Sequence, residues 1–205
     1  MASPTLNPVE ATLRRIAEDL GAAGWRWALI GGLAVSARAE PRTTRDVDVS
    51  VLVQDDTEAE ALVYALQARG YRVLAVLEQT MAGRLATVRL EPPAEAGRGA
   101  VVDLLFASSG IEPEVVEAAE PLAILEDLEA PVARVGHLIA LKVLARDDRR
   151  RPQDWDDLQA LFKEATQADL DEAHAALRLV EERGYHRGKE LVRELEKLLS
   201  DRASR

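Results

Sequence analysis

Two aspartates, Asp46 and Asp48, lie in a segment that alternates between acidic and apolar side chains. The alternation Asp46-Val47-Asp48-Val49 has the period of a β-strand, so both carboxylates point to one face and both valines to the other. Two like charges about 6 Å apart repel each other by about 2–3 kcal/mol at an effective dielectric constant near 20. A divalent cation between them removes that repulsion, and oxygen ligands suit Mg²⁺ or Mn²⁺. A solvated edge strand is the alternative explanation of this pair.

A third aspartate, Asp103, is enclosed by the apolar segment 101–106. A carboxylate in such a strand is costly to desolvate unless it is paired with a cation or bound to a metal. If this strand lies beside the strand of Asp46 and Asp48, three carboxylates meet at one point. Such a cluster can hold two cations about 4 Å apart, one activating an attacking hydroxyl and the other neutralising a triphosphate.

A glycine pair, Gly31-Gly32, follows a short apolar strand and precedes a predicted helix. Without Cβ atoms the backbone can turn tightly and bring its N–H groups close to a phosphate at the N-terminus of the helix. Glycine pairs at strand–helix turns more often serve the geometry of the turn alone. The pair therefore carries functional weight only together with the aspartates.

Lys142 lies on a predicted helix whose apolar positions include Leu138 and Leu141, which shield its stem and direct its ammonium group. A triphosphate needs such a point charge, although a lysine that snorkels from an amphipathic helix is the alternative. Residues 142–151 carry five basic and two acidic side chains. This local excess of positive charge can guide an RNA or can simply belong to a solvated loop. Asp154 and Asp157 open the next predicted helix, and an N-terminal cap explains Asp154.

Periodicity and capping signals predict the elements that position these residues. A first helix begins at Asn7-Pro8, and a later one is capped by Thr57 with Glu60. The remaining elements of the first half are a helix over 33–39 and strands over 25–30, 46–53, 71–78, 84–90 and 101–106. After Ser109 the apolar positions follow helical spacing. We therefore expect an α+β (or α/β) fold with a sheet flanked by helices over residues 1–110 and a mainly helical C-terminal subdomain over 111–205.

Composition excludes several classes of protein. The chain has 205 residues and a formal net charge of −10, which fits one core with an appended subdomain and argues against non-specific coating of nucleic acid. It has no cysteine, which excludes disulfides and thiolate metal sites. Neither a membrane-spanning segment nor a secretory signal is visible, so we expect a cytoplasmic protein with no membrane contact. Its three histidines show no spacing typical of a metal site or a catalytic triad.

Gly31-Gly32, followed after thirteen residues by Asp46-Val47-Asp48-Val49, resembles the signature of the DNA polymerase β-type nucleotidyltransferase superfamily. In that superfamily a third acid lies on a later strand, as Asp103 does here. Segment 42–48 (Arg-Thr-Thr-Arg-Asp-Val-Asp) and segment 138–158 resemble motifs of the AbiEii/AbiGii and MenT-type bacterial nucleotidyltransferases, many of which are toxins of toxin–antitoxin pairs. The resemblance covers residues 25–162. The sequence departs from the Gly-Ser form of the signature in having Gly32, so backbone amides alone must contact the phosphate there, as in the Gly-Gly members of the superfamily.

The resemblance implies a nucleotidyltransferase-type mixed sheet and a Mg²⁺- or Mn²⁺-dependent enzyme. It would move a nucleoside monophosphate from a nucleoside triphosphate, with ATP as the working expectation, to a hydroxyl of tRNA, another RNA or a protein. An antitoxin protein would be its partner. The implied metal-binding and catalytic residues are Asp46, Asp48 and Asp103. The implied nucleotide-binding residues are Gly31, Gly32, Arg45, Lys142 and Asp157.

Two other functions remain open at this stage. A small hydroxyl compound of the aminoglycoside type could be the acceptor. Alternatively, the chain could be a non-catalytic nucleotide-binding module. The presence of all three acids favours an enzyme, whereas a separation of more than about 8 Å between Asp103 and both other aspartates would favour the module.

Overall fold

The computed structural model describes residues 7–80, 82–93, 100–147 and 153–203. The helices are α1 Pro8–Ala22, α2 Gly31–Arg38, α3 Asp56–Ala68, α4 Glu112–Glu117, α5 Val135–Ala145, α6 Gln153–Glu164, α7 Gln167–Glu182 and α8 Leu191–Ala203. The strands are β1 Trp27–Ile30, β2 Asp46–Val51, β3 Arg72–Gln79, β4 Arg84–Glu91, β5 Val101–Leu105, β6 Glu120–Leu125 and β7 Leu128–Val132. The elements predicted in the first half of the chain begin and end within two residues of these bounds.

All seven strands form one sheet in the order β3-β4-β5-β2-β1-β7-β6. The pairs β2–β5 and β1–β7 are parallel, and the other neighbours are antiparallel. The expected mixed sheet flanked by helices is therefore confirmed. Its central strands, β5, β2 and β1, are those on which the sequence places the aspartates and the glycine turn.

Alternation along the central strands creates the core. Val47 and Val49 of β2 lie beside Val102 and Leu104 of β5 in the parallel register, and all four are fully buried. Apolar side chains of α1, α3 and α4 join them in one continuous cluster. Since side chains alternate between the faces of a strand, the acidic positions of β2 and β5 lie on the opposite face.

The hairpin β6–β7 differs from the prediction. The predicted helical character of the chain after Ser109 is confirmed for α4 to α8, but residues 120–132 are extended, and β7 joins the sheet beside β1. This segment carries Pro121 and Pro131, which disfavour a strand interior, so local propensity alone gave no strand signal. Pairing of β7 with β1 and β6 stabilises the extended conformation despite this low local propensity. The division into units at residue 110 stays a prediction.

The start of α3 also differs from the prediction. Its N-cap is Asp55 and not Thr57: the Asp55 carboxylate accepts a hydrogen bond of 2.9 Å from the backbone N–H of Glu58. Aspartate caps a helix at least as well as threonine does, so Asp55 can start α3 two residues before the predicted cap. At α1 the predicted cap is confirmed, because the Asn7 side chain accepts a hydrogen bond from Val9 N–H.

Among the described residues, none of the helices combines the length and the apolar character needed to cross a bilayer.

Close packing between α5 and α7 depends on Gly136, because a Cβ atom there would lie 2.5 Å from the backbone oxygen of Asp169. We expect Gly136→Ala to lower the free energy of unfolding by about 1–3 kcal/mol, since the helices must move apart. Gly21 in α1 is the matched control, because a Cβ atom there would meet nothing within 4 Å. Gly21→Ala should raise the stability by up to about 1 kcal/mol. Urea denaturation followed by circular dichroism measures both, and a Gly136→Ala variant as stable as wild type would contradict this packing.

Candidate active site

The parallel register of β2 and β5 brings the three aspartates to one face of the sheet. Asp48 is the register partner of Asp103, and Asp46 is the partner of Val101. Paired residues on neighbouring strands lie about 4.8 Å apart, well inside the limit of about 8 Å that would favour a module without a shared site. Asp46 and Asp48 are half-buried, whereas Asp103 is 8% exposed.

Gly31 lies directly beneath the Asp48 carboxylate. Its φ of +63° is in the left-handed region, and a Cβ atom there would lie 2.0 Å from Oδ2 of Asp48. Both facts require glycine. Because α2 begins at this residue, the Asp48 carboxylate lies next to the N–H end of a helix, where the partial charges favour anions.

Gly32 provides space for an arginine that the sequence interpretation did not single out. A Cβ atom at Gly32 would lie 2.6 Å from Nη2 of Arg42. Arg42 in turn donates from Nη2 to Oδ2 of Asp157 at 2.9 Å, and its Nε lies 2.5 Å from Oδ1. The second glycine thus lets the segment before β2 pair with α6. The only signal for Arg42 was its place in the segment that resembles the AbiEii motif.

Lys142 is held by two carboxylates at the edge of the cleft. Its Nζ lies 2.9 Å from Oδ1 of Asp154 and 2.6 Å from Oδ2 of Asp157, and all three side chains are buried. Asp154 is therefore a partner of Lys142 rather than the helix cap that the sequence predicted, since its burial favours a charged partner over an exposed end. With Arg42 the group contains two positive and two negative charges, so its net charge is zero.

Arg89 of β4 is a second cation that sequence reasoning missed. It is the register partner of Asp103, and its Nε and Nη2 donate to Oδ1 and Oδ2 of Asp103 at 2.8 and 2.6 Å. Nη2 also lies 3.7 Å from the Asp46 carboxylate. The hydrogen bonds to Asp103, followed by the charges of the neighbouring aspartates, raise the pKa of Arg89 above its ordinary value. An arginine within the apolar segment 85–90 was the available signal.

The three carboxylates provide only some of the ligands that a divalent cation needs. Asp46 and Asp48 supply oxygen ligands on one half-exposed face, the chemistry that Mg²⁺ prefers. Asp103 does not complete this set as it stands, because Arg89 engages both of its oxygens. Accordingly, no three acidic or histidine side chains in the described part of the chain are already arranged to hold a metal ion. A cation could reach Asp103 only if Arg89 moved.

These residues line a cleft of about 1000 Å³ between the sheet and the C-terminal helices. The sequence-predicted residues that line it are Gly31, Gly32, Arg45, Asp46, Asp48, Asp103 and Lys142. Asp157 lies behind the cleft and reaches it only through Lys142 and Arg42. Arg187, which was not predicted, also lines the cleft, has a left-handed φ of 54°, and donates to the backbone oxygen of Ser108 at 3.1 Å.

The buried pairing of Lys142 predicts a large stability effect. Lys142→Met leaves two buried carboxylates with less compensation, and breaking a buried ion pair in this way costs about 3–5 kcal/mol. Lys163→Met is the matched control, because the Lys163–Glu40 pair is more than half exposed on both sides, and it should cost less than about 1 kcal/mol. Chemical denaturation compares the two. Equal stabilities would show that Lys142 is not held as the structure has it.

The contact between Gly31 and Asp48 predicts that a substitution at Gly31 weakens ligand binding for a reason other than backbone strain. Gly31→Ala and Gly83→Ala both put alanine at a left-handed φ, +63° and +58°, which costs about 1–2 kcal/mol. A Cβ atom at Gly83 meets nothing within 4 Å, so Gly83→Ala should keep its nucleotide affinity. Gly31→Ala must displace Asp48 and should lose binding of Mg²⁺-nucleotide in a calorimetric titration. Retained binding by both variants would contradict the placement of the site at Gly31.

Known proteins share this architecture. The family model "Nucleotidyl transferase AbiEii toxin, Type IV TA system" matches residues 13–205. The solution structure of the antibiotic-resistance factor ANT(2″)-Ia has a TM-score of 0.54 and 18% identity, over 87% of this chain and 94% of that one. Its crystal structure with adenylyl-2″-tobramycin has a TM-score of 0.56 and 15% identity, over 85% and 98%.

An antigenic nucleotidyltransferase-like protein from Paracoccidioides brasiliensis gives a TM-score of 0.50 and 19% identity, over 95% of both chains. At such identities these likenesses show the fold alone. No curated protein sequence matches the chain significantly. The match of the family model is different in kind, because it spans the sheet, the cleft and the C-terminal helices. The chain therefore belongs to the AbiEii family of nucleotidyltransferase toxins.

Proposed function

We propose that the protein transfers a nucleoside monophosphate from a nucleoside triphosphate to a hydroxyl acceptor, with Mg²⁺ or Mn²⁺ bound by its aspartates. The observation that carries this proposal is the shared face of Asp48 and Asp103, paired in register above the glycine turn. Family membership supplies the class of reaction. The roles of the individual residues follow from where each lies in the cleft.

The triphosphate side of the cleft is assigned to the glycine turn. Gly31 opens α2, whose N-terminal amides favour an anion. Arg45, which is exposed at the cleft, adds a positive charge, and Lys142 adds a second cation whose charge is largely balanced by Asp154 and Asp157. Lys142 and Asp157 thus contribute mainly by fixing this wall, and Arg45 and the amides meet the phosphates.

The acceptor side is assigned to Asp103, because β5 lies on the side of β2 away from β1 and its glycine turn. The acceptor oxygen forms a bond to the α-phosphorus, the bond to the β-phosphate oxygen breaks, and pyrophosphate leaves. The proton of the acceptor hydroxyl passes to Asp103. Asp46 and Asp48 would hold the cation, which would supply charge neutralisation at the phosphates and lower the pKa of the acceptor hydroxyl. Positioning and electrostatics account for most of the acceleration in such transfers.

RNA, tRNA in particular, is the acceptor that we favour, with a protein hydroxyl as the related alternative. Two exposed arginines, Arg45 and Arg187, line the cleft from widely separated parts of a chain whose formal net charge is −10. Local fields at a site outweigh the global charge, so these side chains can guide a polyanion. A toxin role with a cognate antitoxin fits the family, and ATP is the donor with which to begin.

A small hydroxyl compound is the second candidate acceptor. ANT(2″)-Ia, whose fold this chain shares, was captured with adenylyl-2″-tobramycin, an aminoglycoside that carries a transferred nucleotide. An open cleft of about 1000 Å³ has room for such a compound. The two candidates are separated by offering both kinds of acceptor to the same enzyme.

Asp48→Asn tests the reaction. We expect it to lower transfer from α-labelled triphosphates by about a hundred- to a thousandfold, as does the loss of one preorganised electrostatic group in other enzymes, and to weaken binding of Mg²⁺-nucleotide. Asp127→Asn is the control, because that side chain is 69% exposed and should leave transfer unchanged. Total RNA, protein and a panel of aminoglycosides are the acceptors. Label in RNA supports the favoured acceptor, label in aminoglycoside supports the second, and equal activity of Asp48→Asn and wild type would refute the assignment.

A further inference from the structure

The carboxylate cluster already has a cation in this structure, and that cation belongs to the protein. Arg89 binds both oxygens of Asp103 and lies 3.7 Å from Asp46. The geometry is the bidentate one in which a guanidinium pairs most strongly with a carboxylate. It engages the one aspartate that a metal ion would need for the acceptor side of the reaction.

We propose that Arg89 is the resident counter-cation of the cluster and competes with a divalent metal ion for Asp103. Metal loads first at Asp46 and Asp48, and Asp103 becomes a ligand only after Arg89 has withdrawn. Arg89 is thus a positioning residue that keeps the acceptor side of the site closed until substrate and metal are bound. This inference rests on the proposed metal-dependent transfer and adds an order of assembly to it.

Charge repulsion supports this order. Arg89 occupies both oxygens of Asp103, so a divalent cation that binds Asp103 beside it would share one carboxylate with a guanidinium. The repulsion between two cations at that distance in a partly buried site is electrostatically costly. Withdrawal of Arg89 relieves that cost, and the phosphates of a bound nucleotide offer the guanidinium a new partner.

Exposure supports the mobility that this role requires. The Arg89 side chain is 44% exposed, whereas that of its partner Asp103 is 11% exposed. Lys142, another paired cation of the cleft, is 10% exposed and held by two buried carboxylates. Arg89 can therefore leave its partner for solvent or phosphate, and Lys142 cannot do so without opening the core.

Arg84 on the same strand provides an internal control. Its Nε donates to Oδ1 of Asp56 at 2.7 Å, much as Arg89 Nε does to Asp103, but neither Arg84 nor Asp56 lines the cleft. A general effect of metal ions on arginine–aspartate pairs would disturb both the Arg84–Asp56 and the Arg89–Asp103 pairs. Competition at the site would disturb the Arg89–Asp103 pair alone.

The direct test follows the arginine Nε–H groups of the full-length protein by ¹H–¹⁵N NMR, with Arg89→Gln and Arg84→Gln to assign the two signals. We expect the Arg89 signal of the metal-free protein to shift or exchange away when Mg²⁺ and a non-hydrolysable nucleoside triphosphate are added to saturation. The Arg84 signal should stay unchanged. An Arg89 signal that also stays unchanged at saturation would overturn the proposal.

Metal affinity gives the second readout. Free Mn²⁺ is measured by electron paramagnetic resonance without nucleotide, and Arg89→Gln should bind Mn²⁺ about tenfold more tightly than wild type, within the range over which neighbouring groups tune metal affinity. Arg84→Gln should bind as wild type does. A folded Arg89→Gln with unchanged or weaker affinity would refute competition, and if that variant does not fold, the NMR titration of wild type decides.

The same titrations separate this inference from the function on which it rests. If wild type and both variants bind no Mn²⁺, with or without nucleotide, the metal-dependent function fails and the competition fails with it. If Mn²⁺ binds in the cleft while Arg89 stays on Asp103, the proposed function stands and only the role of Arg89 is lost.

Discussion

Like charge concentrated on one face of a sheet is the constraint on which the rest of this structure depends. The parallel register of β2 and β5 lines up Asp48 with Asp103 and keeps Asp46 beside them, while the alternate positions of both strands fill the core. The two strands cannot move the carboxylates apart without exposing the buried valines and leucines on their core-facing side. The carboxylates therefore need positive charge close by. The N-terminus of α2 and the Arg89 guanidinium provide it.

A second electrostatic group connects the C-terminal helices to this face. Arg42 and Lys142 share Asp157, so the segment before β2, helix α5 and helix α6 meet at one buried carboxylate. Lys189 adds a further tie, because its Nζ donates to the backbone oxygens of Leu144 and Arg146 at the end of α5. Since the charges of the buried group balance, it acts mainly by fixing the wall of the cleft. Positive charge outside this group lies on exposed side chains of the cleft such as Arg45.

Local sequence signals were sufficient to predict the elements in the first half of the fold and the positions of the acidic residues on them. Strict alternation in segment 46–51 identified both the strand and its two faces, and the apolar neighbours of Asp103 identified a buried acid. The pairing partners were not visible, because Arg89 and Arg42 acquire their roles only from strand register and from contacts between distant segments. For the same reason the sequence predicts a helix cap at Asp154, which instead pairs with Lys142. It does not predict the hairpin β6–β7, because the sheet and not the hairpin's own sequence stabilises it.

The central claim is that the aspartates of β2 and β5 form a shared cation site facing the glycine turn. A crystal structure of the protein with Mn²⁺ and a non-hydrolysable nucleoside triphosphate, with anomalous diffraction to locate the metal, tests it most directly. The account predicts an anomalous peak within ligand distance of Asp46 and Asp48, with the triphosphate against Gly31. A triphosphate bound elsewhere, or an anomalous peak remote from both aspartates, would contradict it.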